Sequence, residues 1–191
     1  MKYVIFSLLI FFLISCSKKN ELIPSTIEIS SSNEEMENQF IVYSDNGIPQ
    51  DATDVYTWPT SANFNGEYTE ETPPEGNKCF KTTVGTKENY AGWGVFYDDS
   101  KDLSSYATGS LSFHVKTPSA LKVEIKDNTS NRTKYISNYN WNGSNTWQKI
   151  IIPLSDFGAD LSNIVSPFMI TIENQSSGAT FYIDNVYWTK E

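Results

Sequence analysis

The chain has 191 residues, enough for one domain of ordinary size and too few for two comfortable ones. A formal charge of −9 argues against nucleic acid, which requires basic patches, and against electrostatic binding to an anionic bilayer. Aromatic residues make up 14% of the chain, a surplus for a soluble domain that calls for an explanation.

Lys2 and the apolar run Val4 to Ile14, interrupted only by Ser7, read as a signal sequence over residues 1–15. The run is too short to span a bilayer. Leu13-Ile14-Ser15-Cys16 resembles a bacterial lipobox, which makes Cys16 the expected lipidation site and the new N-terminus. Acylation by two or more chains anchors a protein stably. Removal of residues 1–15 takes Lys2 with it and moves the charge from −9 to −10. Cys79 is then the one cysteine left, so no intramolecular disulfide forms, and its apolar setting places it in the core. Residues 16–38 are rich in Ser, Asn, Glu and Lys and read as a flexible tether.

The fold is expected over 39–191. Phe40–Tyr43 reads as a first strand, followed by the turn Ser44-Asp45-Asn46-Gly47. Residues 47–78, punctuated by prolines and glycines, read as a long irregular connection of the kind that carries function. Strands follow at Lys78–Val84 and Tyr90–Tyr97, and Asp102–Tyr106 reads as a turn. Ser110–Lys116 and Leu121–Lys126 alternate cleanly, with Leu111, Phe113, Val115, Leu121, Val123 and Ile125 inward. Lys134–Asn138, Thr146–Pro153 and Phe168–Glu173 are further strands, and Leu154–Phe157 is a corner. In the closing strand, Thr180–Trp188, the alternation slips by one residue at Asp184-Asn185, which reads as a bulge or as a polar pair held at one edge of a sheet. About nine strands with no sustained helical period predict an all-β sandwich.

Three segments carry a resemblance. Asp102-Leu103-Ser104-Ser105-Tyr106-Ala107-Thr108-Gly109-Ser110-Leu111-Ser112-Phe113, Trp147 through Phe157 and Tyr182-Ile183-Asp184-Asn185-Val186 are similar, in order and spacing, to motifs of carbohydrate-binding modules of the galactose-binding-like jelly-roll type. With the lipobox, the whole resembles a Bacteroidota-style surface lipoprotein. The resemblance implies a two-sheet jelly roll with glycan across a concave sheet. It also implies a structural Ca²⁺ tying the first strand to the last, with Asp184 and Asp45 as ligands. The alternative for Asp184 is that it caps backbone amides. These motifs belong to core and corners, so they speak more for fold than for function.

Sugar recognition needs flat apolar faces for pyranose C–H groups and polar side chains for hydroxyls. Trp147 and Trp188 lie in apolar strands and are assigned to the core. Trp58, Trp93 and Trp141 lie in polar or glycine-rich surroundings and are candidate platforms. Trp93 leads, because Gly92 and Gly94 leave space beside it, with Tyr90 as a neighbour. His114, Glu124 and Arg132 are candidate hydrogen-bonding partners, beside the reading that each is simply solvated. No paired catalytic carboxylates, Gly-x-Ser-x-Gly elbow or phosphate loop appears, so no enzyme is expected.

The expected function is non-catalytic, cell-surface glycan binding from the outer membrane. The ligand would be a neutral polysaccharide such as the β-glucan laminarin, held for partner glycoside hydrolases and an outer-membrane transporter. The negative charge speaks against acidic polysaccharides such as alginate, although one basic patch could override it. A protein-interaction subunit of a surface complex is the alternative, and a small polysaccharide-active enzyme a weaker third.

Overall fold

The computed structural model describes residues 38–191. The signal-peptide and Cys16 assignments, and nearly all of the proposed tether, lie outside the described residues. No described helix is long and apolar enough to cross a membrane.

Among the described residues eleven strands form two antiparallel sheets: β1 (Gln39–Tyr43), β2 (Asp54–Trp58), β3 (Asn63–Tyr68), β4 (Cys79–Thr83), β5 (Ala91–Phe96), β6 (Ser110–Lys116), β7 (Leu121–Asp127), β8 (Asn131–Tyr135), β9 (Trp147–Pro153), β10 (Ile164–Ile172) and β11 (Thr180–Thr189). One sheet runs β3-β4-β11-β6-β9, with β1 also paired to β11, and the other β2-β5-β10-β7-β8. This is the expected jelly-roll sandwich. Leu154–Phe157 is a single helical turn, α1, ended by Gly158 in the left-handed region at φ 61°.

The closing strand bulges where the alternation slips. Its register shifts between Asp184 and Tyr187, and Asn185 takes φ 48°. The bulge is also where β11 changes partner along one edge: β4 pairs with Thr180–Ile183 and β1 with Val186–Thr189. One extra residue restores the parity, so Phe181, Ile183, Val186 and Trp188 all face inward and are fully buried.

Between the sheets, Leu111, Phe113, Val115, Ile150 and Ile152 meet Val95, Val123, Ile125, Phe168 and Ile170. Each such side chain contributes about 1.5–3 kcal/mol by leaving water. Phe113 and Phe168 touch edge to face across the gap at 5.3 Å. Trp188 Nε1 donates to the Pro167 carbonyl at 3.2 Å, so its buried polar end is satisfied. Cys79 is buried as expected, and burial pushes its thiol up to about 12.

Two strands were hidden in residues 47–78. Asp54–Trp58 and Asn63–Tyr68 are edge strands, and edge positions tolerate the polar and glycine residues that disguised them. The eighth strand lies at Asn131–Tyr135 rather than Lys134–Asn138, whose last three residues form a 3-10 turn.

Candidate carbohydrate-binding face

Strand parity decides which side chains reach the surface. In β5 the residues Ala91, Trp93 and Val95 point inward and are fully buried. Trp93 stacks on Phe80 at 4.1 Å and meets Tyr43 at 5.8 Å and Phe168 at 5.4 Å. It is the centre of the core, which corrects its assignment as a ligand platform. The space left by Gly92 and Gly94 lies on the opposite face of the strand.

That space forms the floor of a groove on the outer face of the five-stranded sheet. A Cβ on Gly92 would stand 2.7 Å from Trp58 Nε1 and 2.6 Å from Thr171 Oγ1, so only glycine lets the indole lie down across the strand. Trp58, Gly92, Thr171, Lys122 and Tyr135 share one register row across all five strands. Tyr56, Gly94, Met169, Glu124 and Thr133 form the next row. Five strands at the usual spacing place the ends of a row about 19 Å apart. Tyr56 is 50% exposed and Tyr135 43%, among the largest exposed apolar groups of the described chain. Tyr56 is held upright by an edge-to-face contact with Phe96 at 4.9 Å. Thr171, Met169 and Glu124 are buried although they face outward, so the middle of each row lies low, with the Trp58 indole laid over Gly92 at one end and Tyr56 and Tyr135 standing exposed at the edges.

Glu124 is held in a polar network on that floor. Thr133 Oγ1 donates to its Oε1 at 3.0 Å, and Lys122 Nζ lies 3.4 Å from Oε2 and 2.9 Å from Glu173. Burial pulls the Lys122 ammonium pKa down, but the hydrogen bond and charge of Glu173, with the charge of Glu124, outweigh it and hold the pKa above its ordinary value. The pair thus offers an oriented acceptor and donor side by side.

The other sequence candidates scatter. Trp58 joins the groove, and Tyr90, half-buried just ahead of β5, continues the parity of Gly92 and Gly94. Trp141 is half-buried against the core, its Nε1 donating to the Thr117 carbonyl at 3.4 Å, so it closes one end of the sandwich instead of forming a platform. Arg132 turns away from the groove to Asp127 at 3.1 Å. The fully buried Asp127 carboxylate also accepts from the Thr129 hydroxyl and from the Thr129, Ser130 and Asp160 backbone amides, and these bonds, the hydroxyl first, hold it well below the usual carboxylate range. Arg132 is therefore a clamp on the β7–β8 turn. His114 belongs to the other sheet, paired between Asp184 and Lys149, and does not meet Glu124. Burial lowers its pKa, and its Nδ1 has no hydrogen-bond partner among the described residues.

Asp45 and Asp184 do share a pocket, of about 180 Å³, with Ser44, Glu75, Gly76 and Asn185. Asp45 accepts from the Asn77 and Lys78 amides at 2.8 and 3.2 Å, and Asp184 from the Glu75 amide at 3.4 Å. Gly76, at φ 64°, is required there, because a Cβ would fall 2.0 Å from Asp45 Oδ2. Burial, with the charges of Asp45 and Glu75, pushes the Asp184 carboxyl up to about 6. The donor set is all oxygen and uncompensated by any lining cation, which suits a hard divalent ion in kind. Among the described residues no three metal-ligating side chains gather on one point.

The residues missed in the sequence are Tyr56, Tyr135, Lys122 and Thr171. Asp54–Trp58 did carry a period-2 signal, Tyr56 and Trp58 two apart, but the flanking prolines masked it.

The family model for carbohydrate binding domain 30 matches residues 26–190. Among solved structures, the family 30 carbohydrate-binding module of cellulosomal cellulase Cel9D-Cel44B of Clostridium thermocellum is 18% identical. The match covers 80% of this chain and 98% of that one, with a TM-score of 0.63. The family 11 module from Clostridium thermocellum, in complex with a β-1,3-1,4-mixed-linked tetrasaccharide, is 16% identical over 80% of this chain and 96% of that one, with a TM-score of 0.51. An exo-β-agarase matches at 14% identity over 81% of this chain and 25% of its own, with a TM-score of 0.57. At such identities the likenesses establish the fold. No curated protein shows significant similarity to the chain.

Proposed function

The chain belongs to the carbohydrate binding domain 30 family and is a non-catalytic glycan-binding module, and we propose that its ligand lies across the groove of the five-stranded sheet. The observation that carries this reading is the row from Trp58, laid over Gly92, through Thr171 and Lys122 to the exposed Tyr135, with Glu124 beside it in the next row. Aromatic faces receive the C–H faces of successive sugar rings, and the carboxylate and ammonium receive hydroxyls. A groove about 19 Å long, by strand spacing, suits a polymer segment and not a single sugar. The floor holds a carboxylate paired with an ammonium, which favours an uncharged ligand. Laminarin and mixed-linkage glucan are the first glycans to try.

Affinity electrophoresis of residues 26–191 in gels containing laminarin, mixed-linkage glucan, xylan, mannan or alginate tests this. One neutral glucan should retard the protein, and Trp58→Ala should abolish the retardation. Equal retardation of the variant would sink the groove reading.

The same proposal sets the module on the outer membrane through acylated Cys16, presenting glycan to glycoside hydrolases and a transporter. Metabolic labelling with a radioactive fatty acid, lost in Cys16→Ala, is the check. Ca²⁺ is proposed at the carboxylates of Asp45 and Asp184, where it would neutralise two like charges and join the β1 turn to β11. Added Ca²⁺ should raise Tm and a chelator reverse it. No change would leave both carboxylates as caps for the 75–78 loop.

A further inference from the structure

We propose that the outer face of the six-stranded sheet is a second carbohydrate-contacting surface, and that it takes a glycan bearing carboxylate or sulfate groups. Asn65, Lys81, Tyr182, Lys116 and Trp147 occupy one register row across β3, β4, β11, β6 and β9. A register shift between Asn65 and Tyr68 brings Tyr68 onto the same face, its ring 5.8 Å from that of Tyr182 and tilted by only 33°. Trp147 lies 6.4 Å from Tyr182 on the other side. The three rings therefore make a strip across the strands, as Trp58 and Tyr135 bound one on the opposite face.

The strip differs from the groove in its charge. Lys81 Nζ stands 4.1 Å from the Tyr68 centroid and 6.0 Å from that of Tyr182, and Lys116 Nζ stands 5.8 Å from Tyr182. Lys116 is already paired with Glu71 at 2.7 Å. Lys81 has no carboxylate within ion-pair distance among the described residues. Glu70 is the nearby carboxylate, and it is held by the Tyr68 hydroxyl at 3.0 Å and not by Lys81. In a chain of charge −9, an ammonium set over an aromatic ring and engaged in no ion pair is a site for an anion. At this end of the strip a cavity of about 320 Å³ opens between β3 and β4, lined by Asn63, Asn65, Tyr68, Lys81 and Thr83. Its volume falls in the range of small-ligand sites. Two amides and a hydroxyl there can serve sugar hydroxyls, and Lys81 can serve a uronate carboxylate or a sulfate ester.

The two faces lie on opposite sides of a sandwich about 10 Å thick, so a glycan on one cannot touch the other without passing around an edge. Binding to them is thus separable. The purely architectural reading is that lysines and tyrosines stabilise the sheet as cross-strand pairs. That role would move Tm and leave glycan affinity unchanged.

The test is affinity electrophoresis of the full chain in non-ionic detergent, in gels containing polygalacturonate, alginate, carrageenan or laminarin. Polygalacturonate or alginate retardation identifies uronate as the anion, and carrageenan retardation identifies sulfate. Lys81→Gln, which removes the charge and keeps a polar side chain on a partly exposed residue, should weaken the polyanion interaction about tenfold, with Trp147→Ala as a second variant and circular dichroism to confirm that both fold. Trp58→Ala should keep polyanion binding, and added salt should weaken it. The proposal is overturned if no polyanion retards the chain, or if Trp58→Ala loses polyanion retardation while Lys81→Gln retains it.

Discussion

The two outer faces of the sandwich present the same device in different chemistry. On the five-stranded sheet the aromatic groups sit at the rim, Trp58 and Tyr56 at one edge and Tyr135 at the other, with glycines, Met169 and Thr171 low between them. On the six-stranded sheet Tyr68, Tyr182 and Trp147 follow one another, with lysines filling the gaps between rings. The first arrangement is a trough with the Lys122–Glu124 pair on its floor, the second a filled strip whose Lys81 forms no ion pair among the described residues. The contrast teaches that residue size in the middle strands sets the relief of a sheet. Gly92 and Gly94 lower the centre of one face, whereas Lys81 and Lys116 raise that of the other.

The largest effect separates core from surface. Trp93→Ala should cost about 3–5 kcal/mol of stability, because it empties the point where Phe80, Tyr43 and Phe168 meet. Urea denaturation measures it, and a loss below about 1 kcal/mol would contradict the core assignment. Trp58→Ala, on the neighbouring strand and the other side, should do the opposite: little change in the denaturation midpoint, and a loss of about 1–3 kcal/mol in neutral-glycan affinity by calorimetry. If the two variants behaved alike, the parity argument for β2 and β5 would fail.

A third prediction concerns acid. Asp127 has a depressed folded pKa, so its contribution is present above the unfolded value and lost as pH falls below it. Asp127→Asn should therefore lower Tm at neutral pH, and flatten the loss of Tm that the native chain shows on acidification below about 4. An unchanged acid limb would show that the β7–β8 turn does not depend on this carboxylate. The smallest effect sharpens the groove itself. Glu124→Gln keeps the shape and removes the charge that pairs with Lys122, so neutral-glycan affinity should fall by about 1 kcal/mol or less. A gain in affinity would mean that Lys122, left with Glu173 as its one carboxylate, is the more important contact.

Much of the architecture was legible in the chain. Ser110–Lys116 and Leu121–Asp127 alternate without interruption, and the slip at Asp184-Asn185 announced its bulge. The site was less legible. Trp147 was assigned to the core from its neighbours Ile150 to Ile152, yet it shares the outer parity of Lys149 and Ile151 and lies half-exposed. His114 and Glu124 were both expected to point outward, and both do, but from sheets that face in opposite directions.

The sequence by itself determined the sandwich, the parities of β6, β7, β10 and β11 and the positions of their buried aliphatic residues, because a period of two is a property of the local backbone and its apolar pattern. It could not determine which of two opposed strand faces is dry when one bears glycine and the other tryptophan. Nor could it determine which strands stand side by side, since β2, β5, β10, β7 and β8 are neighbours by hydrogen bonding across long stretches of chain. The groove exists only once those strands are in register, and the lysine strip only once β3, β4, β11, β6 and β9 are, so only the tertiary structure decided what each face offers to a ligand.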